Sequence, residues 1–403
     1  MSDPLIVTNP LNQKELLLGS VDYNCPGGGL GFHLSRDGGS TWTVVECMGG
    51  FDPSVGFDRN GTAYVAAEVS DSEVNGLVAV QKSTDGAHWS KRFIALHLPG
   101  YAFPIWTSLT VDTNPGSPRV NSLYVSGVMV LDQNQSKNQV WVSHSTDGGA
   151  TWTQVAVDRV QTYPAEDRYT RTAVGKDGTV YVTWMHCPAA GADESCGDSV
   201  LHVMLSKSTD GGNTWSAPRL LTRARYFVTE TLPNTGPNIR IYDYPVIAVD
   251  NSNGPHAGNI YVAMYTWTGA YLRVQVIRSS DGGNTWSEPV PVAPASATHD
   301  QFFPAISVSP TGRVGVSWLD RRNDPGDLNY QAFAAFSDDG GQHFGTNWQL
   351  TQEFSNPDNN GVYNWMGDYT GNTWRNDSTF IAAWPDSSNG VDMQEVVGGV
   401  RLK

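Results

Sequence analysis

Short runs of β-branched and aromatic residues recur along the chain, separated by breaks rich in Gly, Asp and Pro. Gly61–Ala67, Leu123–Ser126, Gly178–Trp184, Asn259–Ala263 and Gly312–Trp318 are such runs. Each follows a partner stretch, respectively Asp52–Asp58, Trp106–Asp112, Thr170–Val174, Tyr244–Asp250 and Phe303–Val308. The runs are too short for helices and match pairs of strands joined by tight turns. A third run, such as Val200–Ser206, then leads into a turn, and a fourth follows it. The predicted unit is therefore a four-stranded antiparallel sheet, and no segment carries a helical period beyond a turn or two. Pro4–Val7 with Glu15–Leu18 opens the first unit. Asp368–Gly371, Thr379–Trp384 and Glu395–Val400 form the last.

The turn after the third run has a fixed chemistry. It reads Ser35–Trp42, Ser83–Trp89, Ser145–Trp152, Ser208–Trp215, Ser279–Trp286 and Ser337–Phe344, with Asp at 37, 85, 147, 210, 281 and 339. The Asp side chain can accept backbone N–H bonds just ahead of it, and the glycines supply positive φ. The Trp is large enough to cover the apolar seam under the hairpin. Self-similarity at this period marks a repeat architecture. The six copies resemble Asp-boxes, the Ser-x-Asp-x-Gly-x-x-Trp repeats of sialidase-like β-propellers. The resemblance covers essentially the whole chain and implies an all-β propeller. It leaves activity open, because propellers with this repeat include sialidases, other glycosidases, polysaccharide lyases and non-catalytic receptors.

Counting sheets rather than turns gives seven units of about 57 residues, inside the propeller range. We expect one seven-bladed propeller over residues 1–403, with the six-bladed sialidase form as the alternative. The blades fall at 1–48, 49–100, 101–162, 163–238, 239–296, 297–353 and 354–403.

Composition narrows the partners. A net charge of −15 opposes generic nucleic-acid binding. No apolar run is long enough for a membrane-spanning helix, and the N-terminal residues do not read as a signal peptide. The cysteines at 25, 47, 187 and 196 suggest two local disulfides, and hence a secreted or periplasmic protein, with buried free thiols as the alternative. A monomer is expected.

Propeller geometry puts the Asp turns on one face and the starts of the first strands on the other. The starts and the second-strand ends carry the candidate chemistry. Asp52, Glu68, Asp167, Asp243, Tyr244, His299, Asp300 and Asp368 are candidate catalytic groups. Trp106, Arg168, Tyr169, Arg171, His186, Tyr242, Arg321, Arg322 and Tyr369 are candidate substrate contacts. Paired carboxylates suit glycoside hydrolysis. Histidine or tyrosine as base, with arginine to neutralise a uronate, suits a polysaccharide lyase. A non-catalytic glycan-binding or protein-interaction propeller is the third reading. The different residue types at equivalent blade positions favour a single site and an enzyme, first of all a sialidase-like exo-glycosidase. The resemblance breaks at the sialidase Arg-Ile-Pro signature, which blade one lacks, so no sialidase residue is carried over. The nearest string, around Arg240, lies in mid-chain. No cofactor is required. The acidic stretch Asp320–Asp327 is a candidate for structural Ca²⁺, although its spacing matches no defined calcium loop.

Overall fold

The computed structural model describes residues 2–26, 29–71, 75–188, 196, 199–225, 231–236, 239–359 and 365–402. Among these residues every regular element is a strand.

The first sheet holds β1 (Ser2–Asn9), β2 (Asn12–Val21), β3 (Leu30–Ser35) and β4 (Thr43–Met48). The second holds β5 (Phe51–Phe57), β6 (Ala63–Asp71), β7 (Asn75–Ser83) and β8 (Phe93–Leu96). The third is β9 (Phe103–Val111), β10 (Leu123–Val130), β11 (Lys137–Ser145) and β12 (Thr153–Ala156), with β13 (Gln161–Thr162) also pairing β11. The fourth is β14 (Glu166–Val174), β15 (Val180–Cys187), β16 (Val200–Ser208) and β17 (Arg219–Arg225). The fifth is β18 (Val246–Val249), β19 (Ile260–Trp267), β20 (Leu272–Ser279) and β21 (Val290–Pro291). The sixth is β22 (Gln301–Val308), β23 (Val314–Asp320), β24 (Gln331–Ser337) and β25 (Trp348–Gln349). The seventh has three described strands, β26 (Gly371–Asn376), β27 (Thr379–Asp386) and β28 (Gln394–Arg401). The chain is a seven-bladed β-propeller with antiparallel blades, each built in sequence order. The six-bladed alternative is set aside, because the last three strands form a sheet of their own.

The chain divides into two compact units. The first contains Leu5–Asp198 and His202–Arg223, and the second contains Met1–Pro4, Ser199–Leu201 and Ala224–Lys403. In the first unit β5, β9 and β14 pack side by side, and in the second β18, β22 and β26 do so. Apolar faces between neighbouring blades make the cores. Tyr64, Val80, Leu109 and Val125 fill one seam of the first unit, and Tyr124, Val142, Val182 and Trp184 another. Tyr261, Phe302, Trp318, Phe333, Phe336, Phe380 and Trp384 lie in a single continuous cluster in the second unit.

The Ser-x-Asp turns join third to fourth strands, and their geometry repeats. Asp37 Oδ1 accepts the N–H groups of Ser40 and Thr41 at 2.9 Å, and Thr41 Oγ1 donates to Oδ2 at 2.7 Å. Ser35 Oγ accepts the Gly39 N–H at 2.8 Å. The turns also tie blade to blade. Lys82 Nζ of blade two donates to the Gly148 carbonyl of blade three at 2.7 Å. Gly340 adopts φ +71°, and a Cβ there would meet the His256 ring at 2.6 Å. That glycine is needed for conformation and for close approach together.

A second regularity lies at the other end of the first strands. Asp3, Asp52, Trp106, Tyr169 and Phe303 have φ values of 58°, 50°, 54°, 56° and 50°. Register shifts accompany them between Phe51 and Ser54, between Arg168 and Arg171, and between Phe302 and Ala305. These are β-bulges with a left-handed residue, each costing roughly 1–3 kcal/mol for a non-glycine residue. They re-aim the side chains at the strand starts, where the candidate chemistry sits.

Disulfides join Cys25 to Cys47 and Cys187 to Cys196, so no cysteine is free. Such bonds persist in oxidising compartments and are consistent with export.

Candidate functional site

In the first unit, the bulge at Asp52 brings its carboxylate beside Glu68, which lies across the sheet next to Phe51 in register. Both accept the same backbone N–H, that of Thr107, at 3.2 Å to Asp52 Oδ2 and 3.1 Å to Glu68 Oε1. Burial, then the neighbouring Asp52 charge, holds the Glu68 carboxyl well above the usual carboxylate range. Glu68 therefore holds its proton to higher pH than an ordinary carboxyl does. Next along, the Trp106 and Tyr169 rings meet edge to face at 4.7 Å.

A second acid cluster spans blades three and four. His186 faces Asp167 across the β14–β15 ladder. Its Nδ1 lies 2.9 Å from Asp167 Oδ1, and the same oxygen accepts the Trp184 indole N–H at 2.9 Å. Asp167 is fully buried, and its Oδ2 accepts no N–H donor. The Asp158 carboxyl is its neighbour. Burial, then the charge of Asp167, pushes Asp158 up to about 8. Burial raises Asp167 as well. One proton is therefore held between Asp158 and Asp167 near neutral pH. Burial lowers His186 below its ordinary value, so its ring is neutral there. With Nδ1–H given to Asp167, Nε2 is the atom left to accept a proton. The His186 side chain keeps 17% exposure, whereas Asp167 has none.

Two arginines lie on the same first strand. Arg168 is buried and ion-pairs with Glu166 through Nε and Nη2. Arg171 donates Nη1 to the carbonyls of Thr170 and Thr107 at 3.2 and 3.5 Å.

The second unit gathers the remaining candidates, but not into one cluster. Asp243 Oδ1 accepts the Tyr265 N–H at 3.0 Å. Tyr244 meets Tyr369 edge to face at 5.3 Å. Asp300 accepts the Leu272 N–H at 2.8 Å and faces the buried Arg321, whose Nη1 is 3.3 Å from Oδ2. Arg321 also donates to the Pro233 carbonyl at 2.6 Å. Burial raises Asp300 to about 6 and lowers Arg321. Arg322 turns into its own blade, bonded to Asp320 and Asn347 and lying 4.4 Å over the Phe333 ring. His299 is half-buried.

The acidic stretch Asp320–Asp327 spends its oxygens locally. Asp320 accepts from Trp318 and Arg322, and Asp324 accepts the N–H groups of Gly326, Leu328 and Asn329. Among the described residues, no group of three or more His, Cys, Asp or Glu is arranged to hold a metal ion.

Asp158, Arg240, Trp365 and Asp3 belong to these clusters and are not among the candidate catalytic or substrate-contact residues read from the sequence. Arg240 Nε and Nη2 grip Asp368 Oδ1 and Oδ2, both at 2.8 Å, and its guanidinium lies 4.9 Å over Tyr242 and 5.2 Å over Trp365. Asp3 Oδ1 accepts the Asp368 and Tyr369 N–H groups, much as Asp52 accepts that of Thr107. The parallel was readable, because both aspartates precede proline at the start of a first strand. Asp158 offered no such signal, being a lone acid in a fourth-strand loop.

By sequence, no protein-family model and no curated protein matches the chain. By structure it is similar to a polysaccharide lyase of family PL25, an ulvan lyase, at TM-score 0.59 and 12% identity. That match covers 99% of this chain and 93% of the other. It is similar to the Hadza microbial sialidase Hz136 at TM-score 0.52 and 16% identity, over 96% of this chain and 73% of that one. It is also similar to the α-L-arabinanase of Penicillium chrysogenum at TM-score 0.52 and 14% identity, over 87% and 92%. At these identities the shared property is the propeller fold, and the neighbours in common act on glycans.

Proposed function

We propose that this chain is an exported carbohydrate-active enzyme that cleaves a glycan by β-elimination at a uronic acid, with His186 as the base. The observation that carries the reading is the 2.9 Å contact between His186 Nδ1 and a buried carboxylate. A neutral imidazole fixed at one nitrogen by a carboxylate is a general base with its other nitrogen ready. In the step, Nε2 takes the proton alpha to the uronate carboxylate. The C–H electron pair becomes a C=C bond, and the bond from the β-carbon to the glycosidic oxygen breaks with its electron pair on oxygen. That oxygen is protonated from solvent while the imidazolium returns its proton to solvent. No water is consumed. The positive charge of Arg171, on the same strand, would favour a substrate carboxylate nearby, whereas Arg168 is buried on Glu166. An ulvan lyase and two glycosidases among the structural neighbours support a glycan as substrate.

A second reading, hydrolysis, is favoured by Asp52 and Glu68. A carboxyl held well above the usual carboxylate range is suited to protonating a leaving glycosidic oxygen. One digest separates the two. Uronic-acid, neutral and sialylated oligosaccharides are incubated with the protein, and products are weighed by mass spectrometry. Unsaturated products without added water establish elimination. Products heavier by one water establish hydrolysis and sink the first reading. No cleavage of any glycan sinks both.

A further inference from the structure

Asp167 can aim His186 only if its own backbone is fixed, and the ladder of blade four fixes it on one side alone. β14 is the edge strand of its sheet and pairs only with β15. A register shift between Arg168 and Arg171, with Tyr169 at φ 56°, cuts the start of β14 off from the rest of that ladder. Asp167 lies on the short stretch before the shift and is fully buried. Buried main-chain N–H and C=O groups need partners.

The partner comes from blade three. Asn138 Oδ1 accepts the Asp167 N–H at 3.1 Å, and Asn138 Nδ2 donates to the Asp167 carbonyl at 3.1 Å. Both main-chain groups of Asp167 therefore turn away from β15. Asp167 and His186 then face each other as a non-hydrogen-bonded pair, the kind whose side chains approach most closely. That register is what allows the 2.9 Å contact between imidazole and carboxylate. Asn138 does for Asp167 what one residue of an added strand would do. An amide suits the task because it carries a donor and an acceptor side by side, as a peptide does, whereas a carboxylate has no donor. Asn138 is itself buried, set between Val130 of β10 and Gln161 of β13. Gln161 also steadies the second neighbour of Asp167, donating Nε2 to Asp158 Oδ2 at 2.9 Å.

We infer that Asn138 is a positioning residue for His186: it sets the backbone of Asp167, which sets the tautomer and direction of the imidazole. The inference rests on the reading of His186 as the base and adds that the base is aimed from the neighbouring blade. The same seam supplies a comparison. Asn114 is also buried and also belongs to blade three, but it donates Nδ2 to the carbonyls of Val174 and Gly175, at 3.2 and 3.3 Å, at the far end of β14.

Asn138→Ala and Asn114→Ala are compared in the intact protein labelled with ¹⁵N-histidine. The ring nitrogens of His186 are assigned by their loss in His186→Gln. Wild type should carry its ring proton at Nδ1. Asn138→Ala should lose that single tautomer, its two ring signals moving toward each other, while Asn114→Ala should keep it. On any glycan that is cleaved, Asn138→Ala should lower kcat by about tenfold or more with KM changed by less than about twofold. Asn114→Ala should leave both constants near wild type, although each variant melts earlier. Asn138→Asp, which keeps the acceptor and loses the donor, is the second variant and should show the same loss of tautomer. His186 signals unchanged in the Asn138 variants, or changed equally in Asn114→Ala, overturn the inference. Exchange of the wild-type Asp167 amide as fast as that of an exposed amide overturns it with no variant at all. The ring signals are read without substrate. Loss of the tautomer in a protein that cleaves no glycan therefore upholds Asn138 as a positioning residue and sinks only the base.

Discussion

His186 Nδ1 lies 2.9 Å from Asp167 Oδ1, and the Trp184 indole N–H holds that oxygen from the other side at the same distance. The carboxylate is therefore fixed before the imidazole uses it. It selects one tautomer of His186 and leaves Nε2 to accept a proton.

This arrangement predicts a pH profile. A base that must be neutral loses activity as pH falls through its pKa, and burial sets that value for His186 below the ordinary 6.5. The acid limb of kcat/KM should thus fall below 6.5. Asp158 releases the shared proton at about 8, which puts a second negative charge beside Asp167 and should produce an alkaline limb there. Asp158→Asn should remove the alkaline limb and keep the acid one. His186→Ala should lower kcat by about 10²-fold or more, with a smaller effect on KM. A pH–rate profile that is the same for wild type and Asp158→Asn would contradict the shared proton.

Glu68 separates the two chemistries. Because burial pushes the Glu68 carboxyl toward its neutral form, Glu68→Gln replaces it with a neutral group of similar shape. The fold should tolerate it, with a change in thermal midpoint of only a few degrees. Under elimination by His186, activity should change little. Under hydrolysis it should drop by about 10²-fold or more. Glu68→Ala should instead destabilise the protein by about 1–3 kcal/mol, because the Asp52 carboxylate loses its buried partner and alone is left to accept the Thr107 N–H. Thermal melts with activity assays on both variants read this out.

The glycine turns carry the contact between blades. Gly340→Ala should destabilise by about 1–3 kcal/mol from backbone strain alone, plus the clash with His256. The same substitution at Gly390, with φ +73° but nothing within 4 Å, should cost only the strain. Denaturant melts of the two variants should differ. Equal destabilisation would mean that close approach contributes nothing.

Acid should unfold the protein through its turns. Hydrogen bonding from Thr41, first by its side chain and then by its backbone, lowers Asp37 from 3.8 to about 2. Asp147, Asp210 and Asp339 are lowered to about 2 in turns of the same kind. A carboxylate with a depressed folded pKa stabilises the fold above its unfolded value and loses that contribution as pH falls through the folded one. Stability should therefore decline between pH 3.8 and about 2. Thr41→Val should shrink the decline. A melt series in which the wild type is equally stable at pH 5 and about 2.5 would count against this account.

The blade count, the strand pairs, the turns and the local cysteine pairs were legible in the sequence because each depends on neighbours close along the chain. An Asp-Gly-Gly turn forms from its own backbone, and an apolar run pairs with the next one through a short hairpin. The left-handed bulges were not legible. Trp106, Tyr169 and Phe303 have no intrinsic preference for positive φ and adopt it because packed first strands impose it. Most of all, only the tertiary structure decided which acids lie together and which charges pair. Asp158 with Asp167, Asp52 with Glu68 and Arg240 with Asp368 join residues from different strands or blades. Their chemistry arises from burial and distance, which no local stretch of sequence encodes.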